Sequence, residues 1–209
     1  MPSLEHLVPF AIATLVFAAM PGPAVLYTVA QTMARGRGGG LLAAAGLSVG
    51  GLAHVCAAAA GLSTIFKHSP TLFLALKIGG ALYLVWLGIR MLRSRSESGG
   101  LPSVAAKSDR RAFAESIVVE LLNPKTALFF IAFLPQFVDA GAALPIWLQF
   151  LVLGLLVNLS FFTSDLIAAL LTDRVLTGMR QSPRVARAMR WTSGSVLVGL
   201  GAHMAISRN

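Results

Sequence analysis

The sequence predicts an all-α integral membrane protein. Six transmembrane helices form two inverted three-helix repeats, and the first helix of each repeat is broken at midplane. Of the 209 residues, 56% are hydrophobic and 12% are charged, whereas a soluble domain carries about 25% charged residues. The apolar residues collect in six stretches, and a membrane crossing needs about 20 such residues. These stretches are 7–34, 41–66, 71–92, 111–138, 144–172 and 190–207.

The first stretch, 7–34, is interrupted in its middle by Pro21, Gly22 and Pro23. Proline and glycine both destabilise a helix interior. Pro23 fits the first position of a restarted helix, because the N–H that it lacks would have no partner there. We therefore expect a helix that stops and restarts inside the membrane. No Lys or Arg precedes this stretch, so we expect a retained helix and not a cleaved signal peptide.

The fourth stretch, 111–138, is interrupted in the same way by Asn123, Pro124 and Lys125. Asn123 is a good cap for a new helix, and Pro124 fits its first position. The start of this stretch, "SDRRAFAESIVVE", carries the charged residues Glu115 and Glu120. Residues 109–122 therefore either form part of the span or lie along the interface as an amphipathic helix, and the sequence leaves both open.

Basic residues cluster at alternate connections between the stretches. Of the 17 Lys and Arg residues, 13 lie within 35–37, 90–111 and 174–190. The positive-inside rule makes these three connections cytoplasmic and places both termini outside.

The third connection, 93–110, is rich in Ser and Gly and predicts a flexible cytoplasmic linker. It separates a first repeat, 1–92, from a second, 111–209, within a single membrane domain. Each repeat has three apolar stretches and begins with the broken one. Because three is odd, the second repeat is inverted relative to the first. Inverted repeats with broken helices are typical of transporters, whose binding site lies where the breaks meet.

Free backbone groups at a break are tolerable in a membrane only where they line a polar cavity. The start of a half-helix carries the positive end of the helix dipole, and Lys125 adds a full charge, so the breaks suit a carboxylate. Tyr27 continues the helix face that begins at Pro23. We expect the substrate site to include Pro21, Gly22, Pro23, Tyr27, Asn123, Pro124, Lys125, Asn158 and Asp165.

Ionisable residues inside a bilayer are costly and normally face a partner or a pathway. Asp165 shares one helical face with Gly154, Asn158 and Phe161, by spacings of three and four residues. That pattern favours a pathway wall, and a purely structural carboxylate is the alternative. Candidate proton-coupling residues are Asp165, Glu120 and His54. For Glu120 a structural ion pair with Lys125 is an equal alternative, and for His54 simple packing is the commoner role.

Three motifs together resemble the LysE/RhtB family of bacterial amino-acid exporters. They are the segment that begins "PGPAVLYTVAQ", the segment "LKIGGALYLVWLGIRML" and the segment "LLNPKTALFFIAFLPQF". The resemblance covers nearly the whole chain and is weakest after residue 140. It implies six spans and the export of amino acids or their derivatives across the bacterial inner (cytoplasmic) membrane. It does not choose the amino acid.

The sequence has no phosphate-binding loop, no HExxH and no CxxC motif, and Cys56 is its single cysteine. We therefore expect no cofactor, no metal and no enzyme activity. Transport coupled to an ion gradient, most simply by proton exchange, is the leading hypothesis. The expected partners are an amino-acid substrate and the lipid bilayer, with no nucleic acid, and a homo-oligomer is left open.

Two alternatives remain at this point. A small-ion or metal transporter of similar architecture would bring several carboxylates or histidines together, whereas the breaks here include a lysine. An intramembrane enzyme is the weaker alternative, because it needs a nucleophile with a base, and the sequence places no such set.

Overall fold

The computed structural model of the protein describes residues 4–93 and 108–172, together with residues 191, 194, 195, 198, 199 and 202. The secondary structure of this part of the chain is entirely helical, which confirms the all-α class. The helices are α1 (Leu4–Ala19), α2 (Pro23–Ala57), α3 (Ser63–His68), α4 (Pro70–Arg93), α5 (Asp109–Leu121), α6 (Pro124–Leu128) and α7 (Ile146–Leu170). A π-helical turn, Ala58–Leu62, joins α2 to α3. A second π-helical turn, Phe129–Phe133, and a 3₁₀ turn, Leu134–Phe137, extend α6.

Both helix breaks fall at the residues that the sequence predicts. Helix α1 ends at Ala19, and α2 begins at Pro23 with Gly22 as its N-cap. Helix α5 ends before Asn123, whose side-chain oxygen accepts a hydrogen bond of 3.1 Å from the backbone N–H of Lys125. The second break bends the chain by 41°.

Helix α2 has a sharp bend at Gly36, where φ is +71°. This is the left-handed region that favours glycine. The bend divides α2 into a first arm, 23–35, and a second arm, 37–57. A straight helix separates residues eight apart by about 12 Å, yet the Thr32 hydroxyl lies against the backbone of Gly40. The bend falls in the region 35–40, where the basic cluster predicts a connection between the first two spans.

Within the described residues, two helices are long and apolar enough to cross a membrane, the 43 residues Pro23–Ile65 and the 25 residues Ile146–Leu170. The bent pair Asp109–Leu121 and Pro124–Phe137 is a third candidate if it forms one span. The number of described candidates is therefore two or three, and the six-span inverted repeat stays a prediction. Most of the linker 93–110, the connection 174–190 and most of the sixth stretch lie outside the described residues.

Glycines on the second arm of α2 let α5 and α7 approach its backbone closely, as small residues do between membrane helices. A Cβ on Gly46 would lie 2.6 Å from Ser116 Cβ, and one on Gly50 would lie 2.8 Å from Glu120 Cβ. On the other side, the Asn158 side chain of α7 lies against Gly51. Helix α5 therefore packs lengthwise along α2.

Aromatic side chains fill the core beside the breaks. The ring of Phe17 on α1 packs edge-on against Phe129 at 4.9 Å and stacks on Phe133 at 5.9 Å between centroids. All three side chains are almost fully buried. Such aromatic pairs add about 0.5–1.5 kcal/mol beyond their buried area, so this cluster fixes α1 against the helix that follows the second break.

Candidate substrate site

A small cavity lies where the two helix breaks meet. It is enclosed by the end of α1, the start of α2, the second break and α7. The lining residues are Ala18, Gly22, Ala24, Val25, Glu120, Asn123, Lys125, Thr126, Phe161, Ser164 and Asp165. The cavity has a volume of about 20 Å³, which is room for about one water molecule. The cavity between the described residues is therefore too small to hold an amino acid.

Lys125 reaches from the second break to the first. Its ammonium donates a hydrogen bond of 2.7 Å to the carbonyl oxygen of Met20. Its stem passes over Gly22, where a Cβ would lie 2.9 Å from Lys125 Cδ. The ammonium also lies 5.3 Å from the ring centroid of Phe161 on α7. The close approach of this lysine favours glycine between the two prolines, since the backbone of Gly22 is extended and suits any residue.

Side chains of the second half satisfy the free carbonyl groups at the end of α1. The Ser164 hydroxyl donates a hydrogen bond of 2.7 Å to the carbonyl oxygen of Ala18, as Lys125 does to Met20. A buried backbone group without a partner is costly. These two bonds explain how the chain tolerates a broken helix in an apolar setting.

On the other side of the first break, the first residues of α2 have backbone N–H groups without a helical partner. The first helical bond of this arm runs from the N–H of Leu26 to the carbonyl oxygen of Gly22, at 3.0 Å. The amides of Ala24 and Val25 precede it and have no carbonyl one turn back, and both residues line the cavity. The positive end of the α2 dipole therefore lies beside the Lys125 ammonium.

Glu120 is held by its own segment. Its two carboxylate oxygens accept hydrogen bonds from the Asn123 amide, at 2.9 Å, and from the Thr126 hydroxyl, at 2.6 Å. The predicted alternative of an ion pair with Lys125 differs from the observed bonds, because the lysine points across to Met20. Glu120 therefore fastens the two sides of the second break to each other.

Asp165 is only 4% exposed and lines the cavity from α7. It interacts electrostatically with Lys125 and Glu120, but within the described residues it has no hydrogen-bond donor. The cavity thus combines one ammonium group with one carboxylate that lacks a donor. A buried carboxylate of this kind is suited to a cationic group or a proton.

Several predicted site residues lie outside the cavity lining. Asn158 donates a hydrogen bond of 3.2 Å to Ser48 on α2, so it joins two helices. Tyr27 accepts a hydrogen bond of 2.7 Å from Gln31. His54 contacts the backbone oxygen of Glu120 through Nε2 at 3.0 Å. Pro21, Pro23 and Pro124 shape the breaks and do not line the cavity.

The structure adds two hydroxyl residues that the sequence analysis missed, Thr126 and Ser164. Ser164 lies three residues after Phe161, so extending the polar face of α7 by one more helical step would have found it. Thr126 directly follows Lys125, but nothing in the local pattern indicates that its hydroxyl binds Glu120.

The sequence model of the family described as LysE type translocator matches residues 15–208. The chain belongs to the LysE family. LysE-family proteins are translocators that act in the membrane, and not enzymes. This LysE-family chain is 34% identical over 198 residues to an uncharacterised membrane protein of Pseudomonas aeruginosa, with 89% of this chain and 88% of the relative covered.

Two further relatives of the LysE-family chain are efflux proteins. It is 30% identical to the leucine efflux protein of Klebsiella pneumoniae, over 89% of this chain and 88% of the relative. It is 31% identical to the homoserine/homoserine lactone efflux protein of Salmonella typhimurium, over 90% of each. No solved structure matches the LysE-family chain.

Proposed function

We propose that this LysE-family protein is a secondary transporter that exports an amino acid or an amino-acid derivative across the bacterial inner membrane, in exchange for protons. The observation that carries the proposal is the pairing of Lys125 and Asp165 in one buried cavity at the helix breaks. An amino acid carries one carboxylate and one ammonium group, so the cavity offers a group of opposite charge for each. The efflux functions of two relatives support the same substrate class.

The substrate carboxylate binds at the first break in this proposal. The Lys125 ammonium has three N–H donors, and one of them is used by Met20. The amides of Ala24 and Val25 supply further donors on the same side of the cavity. Hydrogen bonds between charged groups are about twice as strong as neutral ones, so this cluster favours a carboxylate over an uncharged group.

The substrate ammonium binds at Asp165, which lacks a donor of its own in the described structure. When the substrate leaves, the carboxylate takes up a proton in its place, because an uncompensated charge in a low-dielectric interior is costly. The substrate ammonium and the proton therefore compete for the same carboxylate oxygens of Asp165. Mutually exclusive binding is the requirement for exchange.

Substrates that lack one of the two charges test the proposal. Vesicles containing the purified protein are loaded with radiolabelled leucine, with leucinamide, which lacks the carboxylate, or with N-acetyl-leucine, which lacks the ammonium group. Wild-type protein is expected to release leucine faster than either analogue. Lys125→Gln is expected to remove the preference over leucinamide, and Asp165→Asn the preference over N-acetyl-leucine.

Homoserine is included as a second substrate, because one relative is named for it. If vesicles with the protein release neither amino acid faster than loaded vesicles without the protein, the proposed substrate class is wrong. If it releases leucine but both variants keep the wild-type preferences, the two residues are structural and the substrate is held elsewhere. An imposed pH gradient that fails to drive uphill release would remove proton exchange from the proposal.

A further inference from the structure

Within the described residues, four buried side-chain atoms have no hydrogen-bond partner. They are the hydroxyl oxygens of Thr14 and Thr28, the amide oxygen of Gln31 and one guanidinium nitrogen, Nη1, of Arg35. Thr28 is fully buried, and Gln31 and Thr14 are 1% and 2% exposed. Buried polar groups are nearly always bonded, and in a membrane protein an unpaired one costs several kcal/mol. Three of them belong to the first broken stretch, 7–34, and Arg35 follows that stretch directly.

On each side of the first break, these residues lie on the same helix face as a residue that lines the cavity. Thr14 lies one helical turn before the cavity residue Ala18 on α1. On the first arm of α2, Thr28 lies one turn after the cavity residue Ala24, and Gln31 and Arg35 follow at steps of three and four. Residues three and four apart lie on the same helix face. The four residues therefore form a polar stripe (Thr14, Thr28, Gln31 and Arg35) that approaches the cavity from both sides.

The far end of the stripe is closed by an ion pair. The other guanidinium nitrogen of Arg35, Nη2, bonds to the carboxylate of Asp109 at the start of α5. Arg35 and Asp109 both lie in connections that the positive-inside pattern places at the cytoplasmic face. Between this pair and the cavity, residues 27–32 are all buried.

We propose that the polar stripe is the wall of the substrate pathway, dehydrated in this closed conformation and wetted when the transporter opens. The inference rests on the proposed transport function and adds the route to it. If the segment were always packed, these unpaired polar groups would destabilise the protein permanently. In an open state, water forms hydrogen bonds with them. The Arg35–Asp109 pair then closes the cytoplasmic end of the route.

Thiol labelling tests the stripe without any knowledge of the substrate. Thr28→Cys and Gln31→Cys are made in a background in which Cys56 is replaced by Ala, because Cys56 is exposed. The matched control is Ala30→Cys, which is on the opposite face of the same arm and is equally buried. The probe is a small, charged methanethiosulfonate reagent, applied to the full-length protein in vesicles.

An open state populated at about 0.1–10% lets the two stripe cysteines react at about that fraction of the rate of a free thiol. Ala30→Cys is expected to react more slowly than either. If all three cysteines react at the same rate, the proposed pathway wall is wrong. It is also wrong if none of the three reacts while a cysteine at the cavity residue Ala24 does react. Reactive stripe positions combined with no export of leucine or homoserine would instead refute the proposed substrate and leave the route standing.

Thr28→Val provides an independent test, because it removes the hydroxyl and keeps the shape of the side chain. The hydroxyl has no partner here, so the thermal midpoint of the purified protein is expected to stay or rise while transport slows. Thr126→Val is the matched comparison, since it removes a hydroxyl that binds Glu120, and its midpoint is expected to fall. A Thr28→Val protein that melts as early as Thr126→Val, or that transports at the wild-type rate, contradicts the proposal.

Discussion

Lys125 donates a hydrogen bond to the carbonyl oxygen of Met20, a residue 105 positions earlier in the chain. The bond joins the start of one half-helix to the end of another. It also engages the ammonium group of the cavity with a backbone carbonyl oxygen. In the proposed function, a substrate carboxylate therefore shares this ammonium with Met20 or displaces Met20 from it. The bond to Met20 is structural and carboxylate binding is the proposed role, and the two are separable by mutation.

Lys125→Gln is expected to keep the protein folded and to slow amino-acid export. Glutamine retains an N–H donor for Met20 but loses the charge. A hydrogen bond to a charged group contributes about 1.5–3 kcal/mol, so affinity is expected to fall by about 10- to 100-fold. Lys125→Met is the control, because it loses the donor as well. Its lower thermal midpoint would reflect the about 1–3 kcal/mol cost of an unpaired buried carbonyl. Identical midpoints for the two variants would remove the structural role.

Asp165→Asn is expected to abolish export driven by a pH gradient. The amide resembles the protonated carboxyl in shape but neither releases a proton nor carries a charge for the substrate ammonium. The measurement is uphill transport by purified protein in vesicles with an imposed gradient. Asp139→Asn, in the loop before α7, is the matched control and is expected to transport normally, since its carboxylate binds only the N–H of Gly141 among the described residues. Normal gradient-driven transport by Asp165→Asn would remove this residue from the coupling mechanism.

Gly22→Ala is expected to impair transport through Lys125. The added methyl group would lie 2.9 Å from Lys125 Cδ, so the lysine stem has to shift and the bond to Met20 weakens. Overpacking of this kind costs about 1–3 kcal/mol. Gly38→Ala is the control, because nothing lies within 4 Å of its added methyl group. If both variants transport at the same rate, the contact between Gly22 and Lys125 is not needed for transport.

The predicted orientation is tested by cysteines at Ser98 and Gly141, introduced after Cys56 has been replaced. Ser98 lies in the predicted cytoplasmic linker, outside the described residues, and Gly141 is an exposed position in the loop before α7. An impermeant thiol reagent added to intact cells is expected to label position 141 and not position 98. Labelling of position 98 from outside would overturn the six-span topology.

The sequence predicted the parts of the site that depend on local chemistry. Proline and asparagine signals located both breaks to the residue, because a missing N–H and a capping oxygen act within one helical turn. The partner of Lys125 could not be predicted, since it depends on how α1 packs against the second half. Asn158 shows the same limit. Its helix face was identified, but the close approach at Gly51 turns this part of the face toward α2 instead of the cavity.

The bonds that close the end of α1 also constrain how the protein is made. The groups that satisfy Met20 and Ala18 follow them by 105 and 146 residues, so a ribosome completes the first half before either donor exists. In the predicted six-span topology, a newly inserted α1 therefore keeps two unpaired carbonyl groups in the bilayer, at a cost of several kcal/mol each, until α6 and α7 arrive. Biogenesis of the cavity is consequently a late event that requires the chain through α7, and the first half is unsuited to fold as an independent fragment.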